Sequence, residues 1–291
     1  MGLLLRPSSW PLEWPLAAIA LSAALYLLGG RMSATPGAAR KRWRGVSFYA
    51  GLGALALAVG SPIDAYSGEL FWVHMVQHVL LMMVAPPLLL VGRPWPRLMR
   101  PLPLGLRRPL ARSVLAGPEL APVRRVCRRL AAPLPSFVLF NGALLLWHVP
   151  GLFDLTLRDG PVHDLEHGLF FVTGLLFWAH LLPGASSRPQ LSDAARAVYG
   201  IAALLVSWIL AIVLGLATAP VYAAYAGLGH RPGGLSALAD QHLAAGVMWV
   251  PGSVPYCIVL ALVALRWLDP ATDNRRLREM TWSPRSRQAR S

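Results

Sequence analysis

The sequence predicts an all-α polytopic membrane protein with seven transmembrane helices, its N-terminus outside the cell and its C-terminus in the cytoplasm. Three observations lead to this fold class. Of the 291 residues, 55% are hydrophobic and only 14% are charged, whereas a soluble protein carries about 25% charged residues. The apolar residues fall into runs of roughly 17 to 25 residues, the length at which a helix crosses a bilayer. The basic residues are concentrated in alternate connections between these runs.

Seven apolar segments are the expected spans. Basic residues at 31 and 40–44 follow the first segment, as expected for a retained helix rather than a cleaved signal peptide. The predicted spans are residues 12–28, 46–59, 70–90, 134–149, 162–182, 197–219 and 238–265. Together they form one transmembrane domain, residues 1–266. The basic segment 267–291 is expected to be a disordered cytoplasmic tail.

Local signals set expectations for the bends and connections. The pair Pro86-Pro87 should bend or break the third span, because proline lacks the amide hydrogen that a helix uses. Residues 61–69 should form a tight polar loop, and residues 93–132 a loop with ten arginines. The part from 123 to 130 is either a basic helix on the membrane surface or a solvated loop. The two cysteines, in a basic loop and in an apolar run, are not expected to form a disulfide.

The charge distribution fixes the predicted orientation. Arg6, Arg158 and Arg231 lie on one side of the membrane, and the other 24 of the 27 basic residues lie on the opposite side. Because basic residues stay in the cytoplasm, the N-terminus is placed outside. The net charge of +14 is thereby explained by topology and by contact with anionic lipid headgroups of the bilayer. No nucleic-acid partner is expected.

The histidines are the strongest functional signal in the sequence. His74 and His78 begin the third span and His163 and His167 begin the fifth, each pair four residues apart, while His148 ends the fourth. Side chains four residues apart share one face of a helix, which lets both imidazoles reach one metal ion. In the predicted topology all five lie near the outer leaflet, where ionisable groups are costly and mark functional sites. The sequence therefore predicts a metal site between these helices.

Other side chains near this depth are further candidate ligands. On the seventh span, Met248 shares a face with Gln241, and Met82 continues the face of His78. Thioether and imidazole together suit copper, particularly Cu(I), whereas carboxylate and imidazole suit zinc or iron. Methionine is also a common packing residue. Asp240 is a candidate ligand, a helix cap, or a group that orients a metal-bound imidazole.

Alternative functions remain open at this point. Residues 163–167 match the H-x-x-E-H motif of zinc metalloproteases, with Glu166 as general base, although a third ligand and a path for water are not visible in the sequence. Histidines on facing helices also ligate haem, but a haem site favours one deep pair. A third alternative is that each imidazole only forms hydrogen bonds with a neighbouring helix.

The motifs that carry these residues resemble a known family. Residues 74–94, HMVQHVLLMMVAPPLLLVGRP, resemble the signature of CtaG-type (caa3-type) cytochrome c oxidase assembly factors, and so do WHVPGL at 147–152 and GVMWVPG at 246–252. Glu166-His167 with Phe177-Trp178, and Asp240-Gln241, match in the same way. The similarity extends from about residue 45 to 265. It implies a seven-helix, non-enzymatic protein of the bacterial cytoplasmic membrane that helps to build a haem–copper oxidase.

The residues and the resemblance together give one hypothesis. The protein binds copper, as Cu(I) or Cu(II), at an outer-leaflet site and passes it to a subunit of cytochrome c oxidase. The predicted ligands are His74, His78, His148, His163, His167, Asp240 and Met248. The competing hypotheses are a scaffold without metal that binds oxidase subunits during their insertion, a copper permease, and the zinc protease.

Overall fold

The structure, a computed structural model, describes residues 14–32, 38–115, 117–182 and 191–268, and all of their regular structure is helical. Residues 1–13 and all but the first two residues of the predicted tail lie outside these ranges. In chain order the helices are α1 (Trp14–Arg31), α2 (Ala38–Gly60), α3 (Pro62–Ser67), α4 (Phe71–Val79), α5 (Ala85–Gly92), α6 (Trp95–Met99), α7 (Leu104–Leu115), α8 (Ala121–Leu130), α9 (Pro133–Trp147), α10 (Pro150–Thr156), α11 (Gly160–Leu181), α12 (Asp193–Leu216), α13 (Ala223–Ala226) and α14 (Ala237–Leu268).

Four helices among the described residues are long and apolar enough to cross a membrane. They are Trp14–Arg31, Phe71–Gly92, Asp193–Leu216 and Ala237–Leu268. The pair α8 and α9 supplies a fifth span if taken together, although the two helices meet at 73°. Helices α2 and α11 are long but less apolar, because α2 begins with basic residues and α11 carries two acidic residues and two histidines in its first half. The structure thus supports a membrane protein with four to five spans, and seven spans stay a prediction.

The proline pair does not break the third predicted span. Helices α4 and α5 are joined by a π-helical turn, Leu80–Val84, into one helical segment that ends at Gly92. Pro86 has no N–H to donate to the carbonyl of Met82, four residues earlier. The indole nitrogen of Trp178 donates to that carbonyl instead, at 2.9 Å. The freed acceptor is therefore satisfied by α11, and the helix does not break at the proline pair. The alternative of a bend stays a prediction.

Two connections predicted as loops contain helices. Residues 61–69 include α3, whose cap residue Ser61 accepts a hydrogen bond from the backbone N–H of Ile63 at 3.1 Å. The segment 93–132 contains α6, α7 and α8. Helix α8 confirms the predicted basic helix and exposes Val123, Val126 and Leu130 at a helical spacing between its arginines. Its position on a membrane surface stays a prediction. Both cysteines are free, as expected.

Buried aromatic side chains hold the N-terminal ends of α4 and α11 near the C-terminal end of α9. The ring of Phe153, in α10, lies 5.4 Å from that of Phe71 and 4.2 Å from that of Tyr222, centroid to centroid. The Tyr222 hydroxyl donates to the carbonyl of His148 at 3.1 Å. The short helices α10 and α13 therefore fix the helix ends that carry the predicted ligands.

Candidate functional site: a buried histidine and carboxylate cluster

Three imidazoles and one carboxylate meet inside the bundle. One ligand atom from each of His74, His163, Glu166 and His167 can be chosen so that all four atoms lie within 4.8 Å of one another. His74 comes from α4 and the other three from the first two turns of α11. Three of the four side chains are buried, and His163 is half-buried. We call this cluster the His/Glu group.

The ligand atoms of the His/Glu group have no hydrogen-bond partners among the described residues. Nε2 of His74, His163 and His167 and both carboxylate oxygens of Glu166 are buried and unpaired. The Thr156 hydroxyl, near Glu166, donates instead to the carbonyl of Phe153 at 2.8 Å. Buried polar atoms are almost always hydrogen-bonded in native proteins. So many orphaned atoms in one place indicate that a ligand completes the site.

A tyrosine sets the tautomer of His74. Burial, followed by the charge of Asp240, raises the pKa of Tyr225 well above its ordinary value, so the hydroxyl keeps its proton. That hydroxyl donates to the carbonyl of Ser67, which leaves its oxygen to accept from Nδ1 of His74, 3.0 Å away. The proton of the imidazole is therefore on Nδ1. The lone pair on Nε2 faces the His/Glu group, as a metal ligand requires.

The geometry of the group suits one metal ion after a small contraction. A tetrahedral ion about 2.0–2.1 Å from each ligand holds the ligand atoms about 3.4 Å apart. The four ligand atoms lie within 4.8 Å of one another, so side-chain movements of about 1 Å suffice. Three imidazoles and a carboxylate are donors that suit zinc, copper(II) and iron.

Two further predicted ligands, His78 and His148, lie next to the group without joining it. The Nε2 atom of His78 is 3.6 Å from Oε1 of Glu166, and neither ring nitrogen of His78 has a partner among the described residues. Its ring centroid is 4.3 Å from that of His74 and 6.1 Å from that of His148. His78 therefore stands between the His/Glu group and His148.

A small cavity of about 20 Å³ adjoins the group on the side of His78 and His148. It has room for about one water-sized sphere. We call it the methionine cavity. Its lining is mostly apolar and contains four methionines, and the full set is Met75, His78, Val79, Met82, Met83, Leu144, His148, Phe170, Ser207, Met248 and Gly252. Met248, predicted as a ligand, thus faces His78 and His148 across this cavity.

Asp240 has a different position from the other predicted ligands. Its two carboxylate oxygens accept from the backbone N–H groups of Phe71 and Trp72, at 2.9 and 3.0 Å. Arg231 lies 3.9 Å from the same carboxylate. Asp240 therefore caps the N-terminus of α4 from another helix, which is a form of the cap considered from the sequence. Through α4 it helps to position His74.

The remaining histidines lie outside both clusters. His230 is exposed, His242 is hydrogen-bonded to the carbonyl of Ala217 at 3.1 Å, and His180 lies near the other end of α11. Sequence reasoning treated Glu166 only as the base of a protease motif, although its i+3 spacing from His163 already placed it on the ligand face. The role of Tyr225 carried no signal, because it lies 151 residues from His74.

Comparison with known proteins adds an independent line of information. A family model described as cytochrome c oxidase caa3 assembly factor (Caa3_CtaG) matches residues 24–269. Uncharacterized proteins of Mycobacterium bovis and Mycobacterium tuberculosis are each 29% identical over 224 residues, which cover 76% of this chain and 33% of theirs. An uncharacterized protein of Mycobacterium leprae is 27% identical over 227 residues, 76% of this chain and 34% of that protein.

The chain spans about a third of the length of these curated relatives. No solved structure matches it. The family match runs from α1 to the end of α14 and includes every residue of the His/Glu group and of the methionine cavity. The chain therefore belongs to the cytochrome c oxidase caa3 assembly factor family.

Proposed function

We propose that the protein assists the assembly of cytochrome c oxidase by binding copper at the His/Glu group and transferring it to an oxidase subunit. The observation that carries this proposal is the set of unpaired, buried ligand atoms: three imidazole nitrogens and two carboxylate oxygens. A protein that used these residues only for packing would pair them with one another or with the backbone. Family membership supports the oxidase as the partner.

The proposed topology has seven spans: the four most apolar helices, the fifth span that includes α9, and α2 and α11. The excess of basic residues on one side supports an outside N-terminus and a location in the bacterial cytoplasmic membrane. In this orientation α4 and α11 begin at the outer face. The His/Glu group then lies in the outer leaflet, on the side from which extracytoplasmic copper would reach it.

Copper is favoured over other metals by two features. The oxidase for which the family is named is a haem–copper enzyme, and copper is a metal that such an enzyme must receive during assembly. Imidazole and carboxylate ligands accept Cu(II) or Zn(II), but the adjacent methionines add the soft donors that copper uses. Bound copper would be cargo, held until ligands of the oxidase replace those of this chain.

The first test is the metal content of detergent-purified protein after loading with Cu(II), measured by mass spectrometry. We expect about one tightly held copper per chain in the His/Glu group, lost in the double variant His163→Ala/His167→Ala. The exposed His230→Ala is the matched control and should keep its copper. An optical spectrum of the same samples reports any haem. Absence of metal from the folded wild-type protein would overturn the proposal and favour a scaffold that only contacts oxidase subunits.

A second test addresses transfer rather than binding. A strain that lacks the protein should assemble an oxidase with less copper, and the wild-type gene should restore it. The double variant should fail to restore it although it inserts into the membrane normally. Normal copper content in the oxidase of the deletion strain would contradict the transfer function.

One observation favours a second candidate function, an intramembrane zinc protease. The structure brings His74 to the H-x-x-E-H motif, which supplies the third imidazole that such a site needs. Peptide cleavage also requires Glu166 to hold a water beside the metal. Zinc bound in preference to copper, together with peptidase activity that Glu166→Gln abolishes, would favour this candidate over copper transfer.

A further inference from the structure

In the methionine cavity a histidine nitrogen is in contact with a methionine sulfur. The Nδ1 atom of His148 lies 2.7 Å from the carbonyl of Leu144 and can only donate to it. In the neutral imidazole the lone pair is then on Nε2, which lies 3.5 Å from the sulfur of Met75. The imidazole lone pair and the thioether sulfur are both hydrogen-bond acceptors, so neither donates to the other. Both are therefore free to bind a cation from the cavity that they line.

The separation of the two atoms matches a shared metal ion. A cation about 2.05 Å from nitrogen and 2.3 Å from sulfur, at a tetrahedral angle, holds the two atoms about 3.5 Å apart. The observed distance between Nε2 of His148 and the sulfur of Met75 is 3.5 Å. The cavity beside them holds about one small sphere. No rearrangement of these two side chains is therefore required for binding.

The donor atoms around the cavity determine which kind of ion it binds, by their lack of charge and by their preference for soft metals. Met75, Met82, Met83 and Met248 are all buried, and no carboxylate lines the cavity. The cost of burying an ion in a medium of low dielectric rises with the square of its charge, so neutral donors favour a monovalent ion. Thioethers with imidazole are the donors that suit Cu(I).

We infer that the methionine cavity is a Cu(I) site separate from the His/Glu group, held by His148 and Met75 with Met248 among its further thioether ligands. This inference rests on the proposed function, in which the protein binds copper, and it assigns copper to two separate sites. The His/Glu group, with its carboxylate, takes a divalent ion, and the cavity takes a monovalent one. Each site binds its own ion without any change of oxidation state.

His78 is the side chain that connects the two sites. It lines the methionine cavity, and its Nε2 atom lies 3.6 Å from Oε1 of Glu166 in the other site. Its ring packs against Phe170 at 4.6 Å, centroid to centroid. Both nitrogens lack partners among the described residues, so one imidazole can face either site. His78 is therefore placed to add a ligand to either site.

The test measures the two sites separately in the detergent-purified full chain. Cu(I) affinity is obtained anaerobically by competition with a coloured Cu(I) chelator, and divalent binding by titration with Cu(II) and Zn(II). The double variant Met75→Leu/Met248→Leu keeps side-chain volume, so folding should be retained. We expect it to weaken Cu(I) binding at least about tenfold and to leave divalent binding unchanged. X-ray absorption of the Cu(I)-loaded protein should show sulfur neighbours that the variant loses.

Two controls separate this inference from the proposed function. Met32→Leu changes an exposed methionine and should leave Cu(I) affinity unchanged. Glu166→Gln should weaken divalent binding and preserve Cu(I) binding. Unchanged Cu(I) affinity in the Met75→Leu/Met248→Leu variant, with normal divalent binding, would overturn the separate site while the proposed function stands. Loss of both kinds of binding in Glu166→Gln would show one shared site and overturn the division into two.

Discussion

Two buried polar clusters lie towards opposite ends of helix α11, and they differ in whether their atoms are paired. Near the C-terminal end, Nε2 of His180 is hydrogen-bonded to the carbonyl of Ala131 at 2.9 Å. Arg196 donates to the carbonyl of His180 at 3.0 Å and to Asp193 at 2.9 Å. At the N-terminal end, the ligand atoms of the His/Glu group have no such partners among the described residues. Both clusters are buried and ionisable, yet only one is incomplete.

The difference shows which property identifies a ligand site in a membrane protein. Burial and charge are common to both clusters, so neither separates structure from function. The cluster around Arg196 stabilises the contact between α11 and α12, because its donors and acceptors are matched within the protein. The His/Glu group keeps its lone pairs free at a cost in folding free energy, and in the proposed function a bound metal ion offsets that cost.

The largest expected effect is the loss of metal from one cluster only. The double variant Glu166→Gln/His163→Ala removes one charged and one neutral candidate ligand from the His/Glu group. Copper(II) affinity should fall by at least about a hundredfold. His180→Ala, at the other end of α11, should retain wild-type affinity. The measurement is competition with a chelator of known affinity, and equal losses in both proteins would remove the distinction between the clusters.

The converse change should affect stability and leave metal binding intact. Arg196→Ala leaves the buried carboxylate of Asp193 with a weaker partner, Arg266, whose side chain is half-exposed at 3.9 Å. We expect the free energy of unfolding to fall by about 3 kcal/mol, measured by thermal or denaturant unfolding in detergent. In metal-free protein, Glu166→Gln should change stability much less, because no hydrogen bond within the protein is lost. A larger destabilisation by Glu166→Gln would contradict the comparison.

A smaller effect is expected from the residue that orients His74. Tyr225→Phe removes the oxygen that accepts from Nδ1 of His74 and the donor to the carbonyl of Ser67. Loss of such an orienting group weakens metal binding about 10- to 100-fold. Tyr49→Phe, which removes an exposed hydroxyl bonded to the carbonyl of Ala23, is the control and should bind copper normally. Normal affinity in Tyr225→Phe would show that the tautomer of His74 is set in another way.

The smallest effect is a dependence on pH that only the incomplete cluster should show. A protonated imidazole cannot ligate, so metal affinity should fall as the pH drops into the range in which the imidazoles of the metal-free protein take up protons. Titrations at several pH values check this, with unfolding measured in parallel. Affinity that stays flat through the pH range in which these imidazoles take up protons in the metal-free protein would argue against imidazole ligands.

Several features of the site could be predicted because they depend on spacing along one helix. The pairs at 74 and 78 and at 163 and 167 are set by the helical repeat, and the structure retains both on helices. The same repeat places Glu166 with its two neighbours. The rotation of each helix about its axis depends on packing. The sequence therefore could not show that His74, and not His78, joins the α11 residues.

Two expectations that the structure does not confirm have local physical reasons. A proline pair usually bends a helix because it leaves a carbonyl unpaired, but Trp178, 96 residues away, supplies the missing donor to Met82. The count of seven spans depends on α2 and α11. Basic residues in α2, and the histidines and acidic residues of α11, lower the mean hydropathy of these helices, which is the property that identifies a span. In α11 the polar side chains that lower the hydropathy include His163, Glu166 and His167, which belong to the proposed site.

The sequence by itself determined the helical class, the apolar helices compatible with a multi-pass membrane protein and the helix ends that carry the candidate ligands, because these follow from apolar run length and helical spacing. Tertiary structure decided which ligands meet. Packing placed some of the predicted residues in the His/Glu group, which contains a carboxylate, and others around the methionine cavity. Asp240 lies in neither and caps the N-terminus of α4. The reason is that the donor set of a site is defined by packing between helices, over distances in the chain that no local pattern encodes.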